Sequence, residues 1–124
     1  MREDFRVIIA GTRTFDDYGL LCLHTDYMLQ EKRKKRRIVI VSGAAKGADA
    51  LGEQYARERG YKIQRYPADL ERYGKAAGPL RNDLMARNAD ALIAYWDGRS
   101  PGTKNMIDTA RNYGLKVSVK QYQF

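Results

Sequence analysis

Five short apolar runs punctuate the chain: Arg6–Ala10, Ile38–Val41, Lys62–Tyr66, Ala91–Trp96 and Lys116–Val119. Their length suits strands rather than helices. Between them apolar residues recur at spacings of three and four: Leu20, Leu23 and Tyr27, then Ala48, Leu51 and Tyr55, then Leu80 and Leu84, then Ile107 and Ala110. Such spacing gathers side chains on one side of a helix, so these positions are expected to be the buried faces of four helices. The resulting order is βαβαβαβαβ. Strands joined by helices cannot pair as hairpins; right-handed crossovers then place helices on both faces of a parallel sheet. The expected fold is a Rossmann-like α/β/α sandwich of three layers with a five-stranded, mainly parallel sheet. Gly60 and Gly114, just ahead of the third and fifth runs, sit where a helix would end in a left-handed residue.

The 124 residues suit one domain, 1–124. A domain of this size buries roughly two thirds of its unfolded surface and needs no metal or disulfide to hold it. Cys22 is the sole cysteine and His24 the sole histidine, so neither an internal bridge nor a zinc site is expected, and no cofactor is implied. A reducing cytoplasm fits this cysteine usage. Met1-Arg2-Glu3-Asp4 runs directly into the first strand, and no apolar run approaches the roughly 18 residues of a membrane span. The net charge of +8 points toward nucleic acid until its location is read: Lys32, Arg33, Lys34, Lys35, Arg36 and Arg37 are adjacent, and without these six the balance falls to +2. The basicity is local. No aromatic residue interrupts the run, whereas single-strand binding grooves set stacking platforms among their cations.

In sheets of this kind ligands bind beyond the carboxyl ends of the strands, where the strand order reverses. Three loops qualify. Gly11-Thr12-Arg13-Thr14 follows the first strand, Ser42-Gly43-Ala44-Ala45-Lys46-Gly47-Ala48-Asp49 the second, and Asp97-Gly98-Arg99-Ser100-Pro101-Gly102-Thr103 the fourth. Glycine lets a backbone approach a ligand, and unpaired amides at a helix start favour an anion. Each loop alone is also an ordinary turn or cap; three at one sheet edge point to a phosphate-tolerant site. Ser100 suits an N-cap and Pro101 a first helical residue, leaving Gly102 and Thr103 in the first turn.

The stretch from Pro67 to Asn82 is long for a connection. If Pro79 opens a helix, Arg81 and Asn82 fall in its first turn, where a cation calls for an anionic partner. Asp49, at the start of the second predicted helix, either complements the helix dipole or accepts hydrogen bonds from ribose hydroxyls or a base. Lys46 and Arg13 are candidate phosphate ligands or solvated charges, and His24 reads as structural.

Gly11-Thr12-Arg13, Ser42-Gly43-Ala44-Ala45-Lys46-Gly47-Ala48-Asp49, and Gly78-Pro79-Leu80-Arg81-Asn82 through Met85 and Asp90 to Ser100-Pro101-Gly102-Thr103 together resemble the SLOG superfamily. Its members include LONELY GUY phosphoribohydrolases, DNA-processing protein A and small stand-alone domains related to bacterial YpsA. Pro67-Ala68-Asp69 and Tyr73-Gly74-Lys75-Ala76-Ala77-Gly78-Pro79 also resemble the stand-alone type. That resemblance implies nucleotide binding or sensing and a homodimer formed through helical faces. The LONELY GUY resemblance implies hydrolysis of a nucleoside monophosphate, with Arg81 as one of two catalytic residues. The second, a Glu, is replaced here by Met106, which cannot accept a proton. Asp108 lies about 200° around the helix from that position and is a poor substitute. The DNA-processing resemblance, carried by Ser42-Gly43-x-Ala45-x-Gly47-x-Asp49 and Arg81-Asn82, implies single-stranded DNA.

Three readings follow. The favoured one is a module binding a nucleotide or nucleotide-derived ligand through Gly11, Thr12, Arg13, Ser42, Gly43, Lys46, Gly47, Asp49, Arg81, Asn82, Ser100, Gly102 and Thr103. The second is an N-glycoside hydrolase using Arg81, and the third a nucleic-acid module using the basic run. Met106 weighs against the second and charge placement against the third.

Overall fold

The structure is a computed structural model that describes residues 3–122; Met1, Arg2, Gln123 and Phe124, at the ends of the expected domain, lie outside the described residues. The five apolar runs become β1 (Asp4–Gly11), β2 (Arg37–Ser42), β3 (Lys62–Arg65), β4 (Ala91–Trp96) and β5 (Lys116–Gln121). They form one sheet in the order β3-β2-β1-β4-β5. All four neighbouring pairs are parallel. The expected Rossmann-like α/β fold is present.

The helices are α1 (Tyr18–Leu29), α2 (Lys32–Lys35), α3 (Ala48–Arg59), α4 (Leu70–Tyr73), α5 (Ala77–Arg87) and α6 (Pro101–Asn112). Strand side chains alternate between two cores. Phe5, Val7 and Ile9 of β1 pack with Leu21, Leu29 and Tyr55 of α1 and α3. Ile8 and Ala10 point the other way, to Met85 of α5 and Met106 and Ile107 of α6. The sheet is therefore covered on both faces, as its near-continuous apolar strands require. Gly60 closes α3 at φ 73°, ψ 23°, and Gly114 follows α6 at φ 77°.

Several expectations are corrected. Leu23 and Tyr27 are 74% and 67% exposed, and α1 instead buries Leu21, Thr25 and Leu29. The misreading has a polar cause: Thr25 stands in the buried stripe because its hydroxyl hydrogen-bonds the Tyr95 hydroxyl at 2.7 Å. Leu80 and Leu84 also face outward, since α5 lays small and polar residues (Ala77, Asn82, Ala86) beside Met85 in its buried face. Close packing of α5 on α6 favours such residues.

The stretch from Pro67 to Asn82 is not a loop. Asp69 caps α4 by accepting the Arg72 amide at 3.1 Å, a 3₁₀ turn spans Gly74–Ala76, and α5 begins at Ala77. Pro79 is thus the third residue of α5, where its missing N–H still costs no intrahelical bond, and Arg81 moves into the second turn. Its charge therefore does not sit at the helix start and calls for no anion on that ground.

The basic run follows α1. Lys32–Lys35 form the separate one-turn α2, and Arg37 opens β2 at the amino edge of the sheet. Arg36 pairs with Glu3 at 3.5 Å and Arg37 with Asp4 at 2.7 Å, while Lys32 lies over the Phe5 ring. Neighbouring carboxylates and a ring face hold these cations. No helix among the described residues is long and apolar enough to cross a membrane.

Candidate functional site

From β1 the chain runs out to β2 and β3 on one side of the sheet, while β4 and β5 lie on the other. The connections leaving the carboxyl ends of β1 and β4 consequently diverge, and a crevice opens between them. It is a cleft of about 650 Å³. Its lining contains Gly11, Thr12 and Arg13 after β1, Asp49 at the start of α3, Arg81 and Asn82 on α5, and Ser100, Gly102 and Thr103 at the start of α6. Nine of the thirteen sequence candidates thus meet in one place. Ser42, Gly43, Lys46 and Gly47 do not line it.

The four exceptions are explained by what they touch. Ser42 donates its hydroxyl to buried Glu53 at 2.6 Å and accepts the Ala44 amide at 3.0 Å. Glu53 is held in turn by Arg65. The Gly43 carbonyl accepts a hydrogen bond from Arg81 Nη1, and a Cβ on Gly43 would collide with that guanidinium and with the Asp49 carboxylate. Gly47, at φ 73°, lies against the carbonyls of Thr12 and Arg13. Lys46 is exposed.

These contacts revise the role expected of glycine. Gly11 belongs to the cleft lining, yet its bare Cα lets β1 press on β4: a Cβ there would come within 2.2 Å of the Tyr95 carbonyl oxygen. Gly11, Gly43 and Gly47 therefore bring protein segments together. Gly102 is different, because a Cβ there would have nothing within 4 Å.

The rim between β1 and β4 is fixed by short polar contacts. Thr12 Oγ1 accepts the Asp97 amide at 3.1 Å and lies 3.3 Å from Ser100 Oγ. Asp97 Oδ1 accepts the amides of Arg99 and Ser100, both at 2.8 Å. The Ser100 amide, then that of Arg99, hold the Asp97 carboxyl below its ordinary pKa. Ser100 is the N-cap of α6, as expected, but its hydroxyl reaches Thr12 and Asp97 instead of capping the helix. With Pro101 first in the helix, the Gly102 and Thr103 amides and the Thr103 hydroxyl make no hydrogen bond to described residues and lie at the cleft. This is the arrangement that favours an anion at a helix start.

The cleft lining also includes Arg81, Asp49 and Arg13. Arg81 donates Nε to Asn82 Oδ1 at 3.0 Å, and Asn82 donates to Asn105 Oδ1 at 2.9 Å, which ties α5 to α6. Burial lowers the pKa of Arg81, and the nearby Asp49 charge works against that effect. Asp49 is buried and accepts the Ala45 amide at 3.2 Å. Burial still pushes its carboxyl up to about 6. Arg13 is exposed and has no ion-pair partner among the described residues. Met106 forms part of the cleft floor and the core, whereas Asp108 is engaged by Lys104 at 2.8 Å outside the cleft. Among the described residues no cluster of three His, Cys, Asp or Glu could hold a metal.

Asp97 and Asn105 belong to the site but were not among the sequence candidates. Asp97-Gly98 carries a turn signal that could have marked the first. Nothing local marks Asn105, whose importance arises from its contact with Asn82.

Comparison with known proteins places this geometry in context. A protein of Mycobacterium phage D29, the gene 61 protein, is 35% identical over 119 residues, covering 90% of this chain and 93% of its own. DNA processing protein A from Streptococcus pneumoniae superposes with a TM-score of 0.69 at 21% identity, over 94% of this chain and 50% of that one. The Helicobacter pylori protein of the same name, described for its single-stranded DNA binding mode, gives 0.66 at 24% identity, over 95% of this chain and 66% of that one. This chain thus spans half and about two thirds of those two structures, and the likeness is one of fold. A family model matches residues 5–73, from β1 through α4 and including two of the three glycine loops. On that match and the phage relative, the chain belongs to the YspA, cpYpsA-related SLOG family.

Proposed function

We propose that the cleft binds a nucleotide or nucleotide-derived small molecule through its phosphate. The observation that carries this reading is the meeting, at the switch point of the sheet, of the unpaired Gly102 and Thr103 amides with Arg13 and Arg81. Phosphate lies against the amino end of α6, Arg13 supplies a cation, and Asp49 accepts from ribose hydroxyls or a base. Thr12, Ser100, Asn82 and the segment containing Ser42, Gly43 and Gly47 act by positioning this shell, and Lys46 stays at its margin. Met106 supports binding over cleavage: a thioether in the core supplies neither general acid nor base.

Nucleoside monophosphates and diphosphates are accordingly expected to raise the thermal midpoint more than the matching nucleosides, and to be recovered intact. At a hundredfold excess over Kd the stabilisation is about 2.7 kcal/mol, or about 10 °C for a chain of this length. A broad panel without any shift at millimolar concentration would remove the reading. Sustained base release abolished by Arg81→Ala would make the protein a hydrolase.

Charge placement provides the second test. The cleft is at the carboxyl edge of the sheet and Lys32–Arg37 at the amino edge. Arg13→Ala should weaken nucleotide binding by roughly 1.5 to 3 kcal/mol, about ten- to a hundredfold. Changing Lys34, Lys35 and Arg36 together to Gln should leave nucleotide affinity intact while reducing salt-sensitive binding of single-stranded DNA. Titration of both ligands at two salt concentrations checks this. The reverse result in correctly folded variants would place the ligand on the other edge.

A further inference from the structure

Among the described residues one strip of the molecule is left without a covering layer. On the α1 and α3 side of the sheet, α1 turns Tyr18 toward Glu58 of α3 at 2.5 Å and Asp26 toward Tyr55 and Arg59. Its opposite flank turns toward β5, as the 3.3 Å contact between His24 Nε2 and Ser118 Oγ demonstrates. Helical spacing points Leu23 straight away from the sheet, nearer Asp26, and sets Tyr27 and Met28 on the His24 flank. Leu23 and Tyr27 are 74% and 67% exposed, and Met28 is 40% exposed.

The strip has a floor and a far wall. A pit of about 200 Å³ opens between Met28 and the sheet, over Phe5 and Ile93, with Lys32 and Lys116 at its sides. Register sets the wall: Lys116, Ser118 and Lys120 pair with Ala91, Ile93 and Tyr95, whose side chains lie in the α1 core. Val117 and Val119 pack into the α6 core instead. The wall of β5 is thus a lysine–serine–lysine row, and neither Lys116 nor Lys120 has an ion-pair partner among the described residues.

From this juxtaposition of an exposed apolar helix flank, an apolar pit and an unpaired lysine row, we infer that the groove between α1 and β5 docks an amphipathic helix of a partner protein. That helix sets large apolar side chains against Tyr27 and Met28 and acidic side chains along β5. Charge selects this occupant over a second copy. A two-fold contact through the same face would set two lysine rows of a +8 chain close together, and like charges across an interface are repulsive. A helix fits because the uncovered β5 lies beside α1, where another sheet-packed helix would sit, and its anchors would repeat at three- and four-residue spacing.

The test uses the full chain and a fluorescein-labelled helical peptide of leucines and glutamates, about 18 residues or five turns long. Two control peptides replace its leucines by serine or its glutamates by lysine. Anisotropy should report binding of the leucine–glutamate peptide and of neither control. Tyr27→Ser with Met28→Ser should weaken it about tenfold or more, as should Lys116→Glu with Lys120→Glu, and the latter protein should now accept the leucine–lysine peptide. Lys34→Gln with Lys35→Gln should change nothing. The substituted side chains are exposed, and circular dichroism with thermal midpoints verifies each fold. The inference fails if no peptide binds, if binding ignores the Tyr27 and Met28 changes, or if sedimentation reveals a dimer that Tyr27→Ser dissolves.

Discussion

Gly47→Ala is expected to destabilise the protein by about 3 to 5 kcal/mol. Two costs combine there. At φ 73°, ψ −126° Gly47 occupies backbone space that side chains disfavour. An added Cβ would also sit 2.4 Å from the carbonyl oxygens of Thr12 and Arg13. Neither atom can swing aside as a side chain would, because Thr12 O already accepts the amides of Phe15 and Ala48. The loop before α3 would have to lift from the loop after β1, pulling the cleft apart. Urea and thermal unfolding measure the effect, and the midpoint should fall by about 10 °C or more.

Gly102→Ala supplies the contrast. A methyl group there meets nothing within 4 Å, so the stability of the ligand-free protein should remain within about 0.5 kcal/mol of the parent. Equal stability in the Gly47 and Gly102 variants would mean that the loop after β2 does not rest on the loop after β1.

This contrast also shows what could be read from sequence. Glycine, hydroxyl and arginine residues marked the loops at the carboxyl edge, and strand periodicity located those loops because a twice-covered parallel strand is apolar along its length. What sequence could not distinguish was a glycine that admits a ligand from one that admits another part of the protein. Gly11 and Gly47 are of the second kind, and their neighbours, Tyr95 and Thr12 with Arg13, are close only after folding. Helix faces were harder than strands for a related reason. Thr25 and Asn82 are polar residues inside buried faces, satisfied by Tyr95 and Asn105 from distant segments, whereas Leu23, Leu80 and Leu84 stay outside. The short α2 and α4 carry no apolar period, since neither contains a buried residue.

Asp49→Asn is expected to stabilise the ligand-free protein at pH 7.5 by about 2 to 3 kcal/mol and to make little difference at pH 4. Burial is the dominant cause. It raises the carboxyl from its ordinary 3.8 to about 6, against the Ala45 amide and the Arg81 charge, which both favour ionisation. Between those two pH values the folded protein holds a proton that the unfolded chain has released. Stability from this group is therefore complete below pH 3.8 and is lost as pH rises through 6, whereas Asn at this position does not titrate. Denaturant unfolding of both proteins across pH 4 to 8 should give curves that coincide in acid and separate toward neutrality. A group that strains the neutral-pH fold is consistent with a site whose function costs stability, so the same substitution should weaken nucleotide binding if Asp49 accepts ribose or base hydrogen bonds. Stability gained with affinity lost is the expected pair. A variant less stable than the parent at pH 7.5 would show that the carboxylate, through Ala45 and Arg81, holds the loop after β2 in place, and the assignment of Asp49 to the ligand would then lose its physical basis.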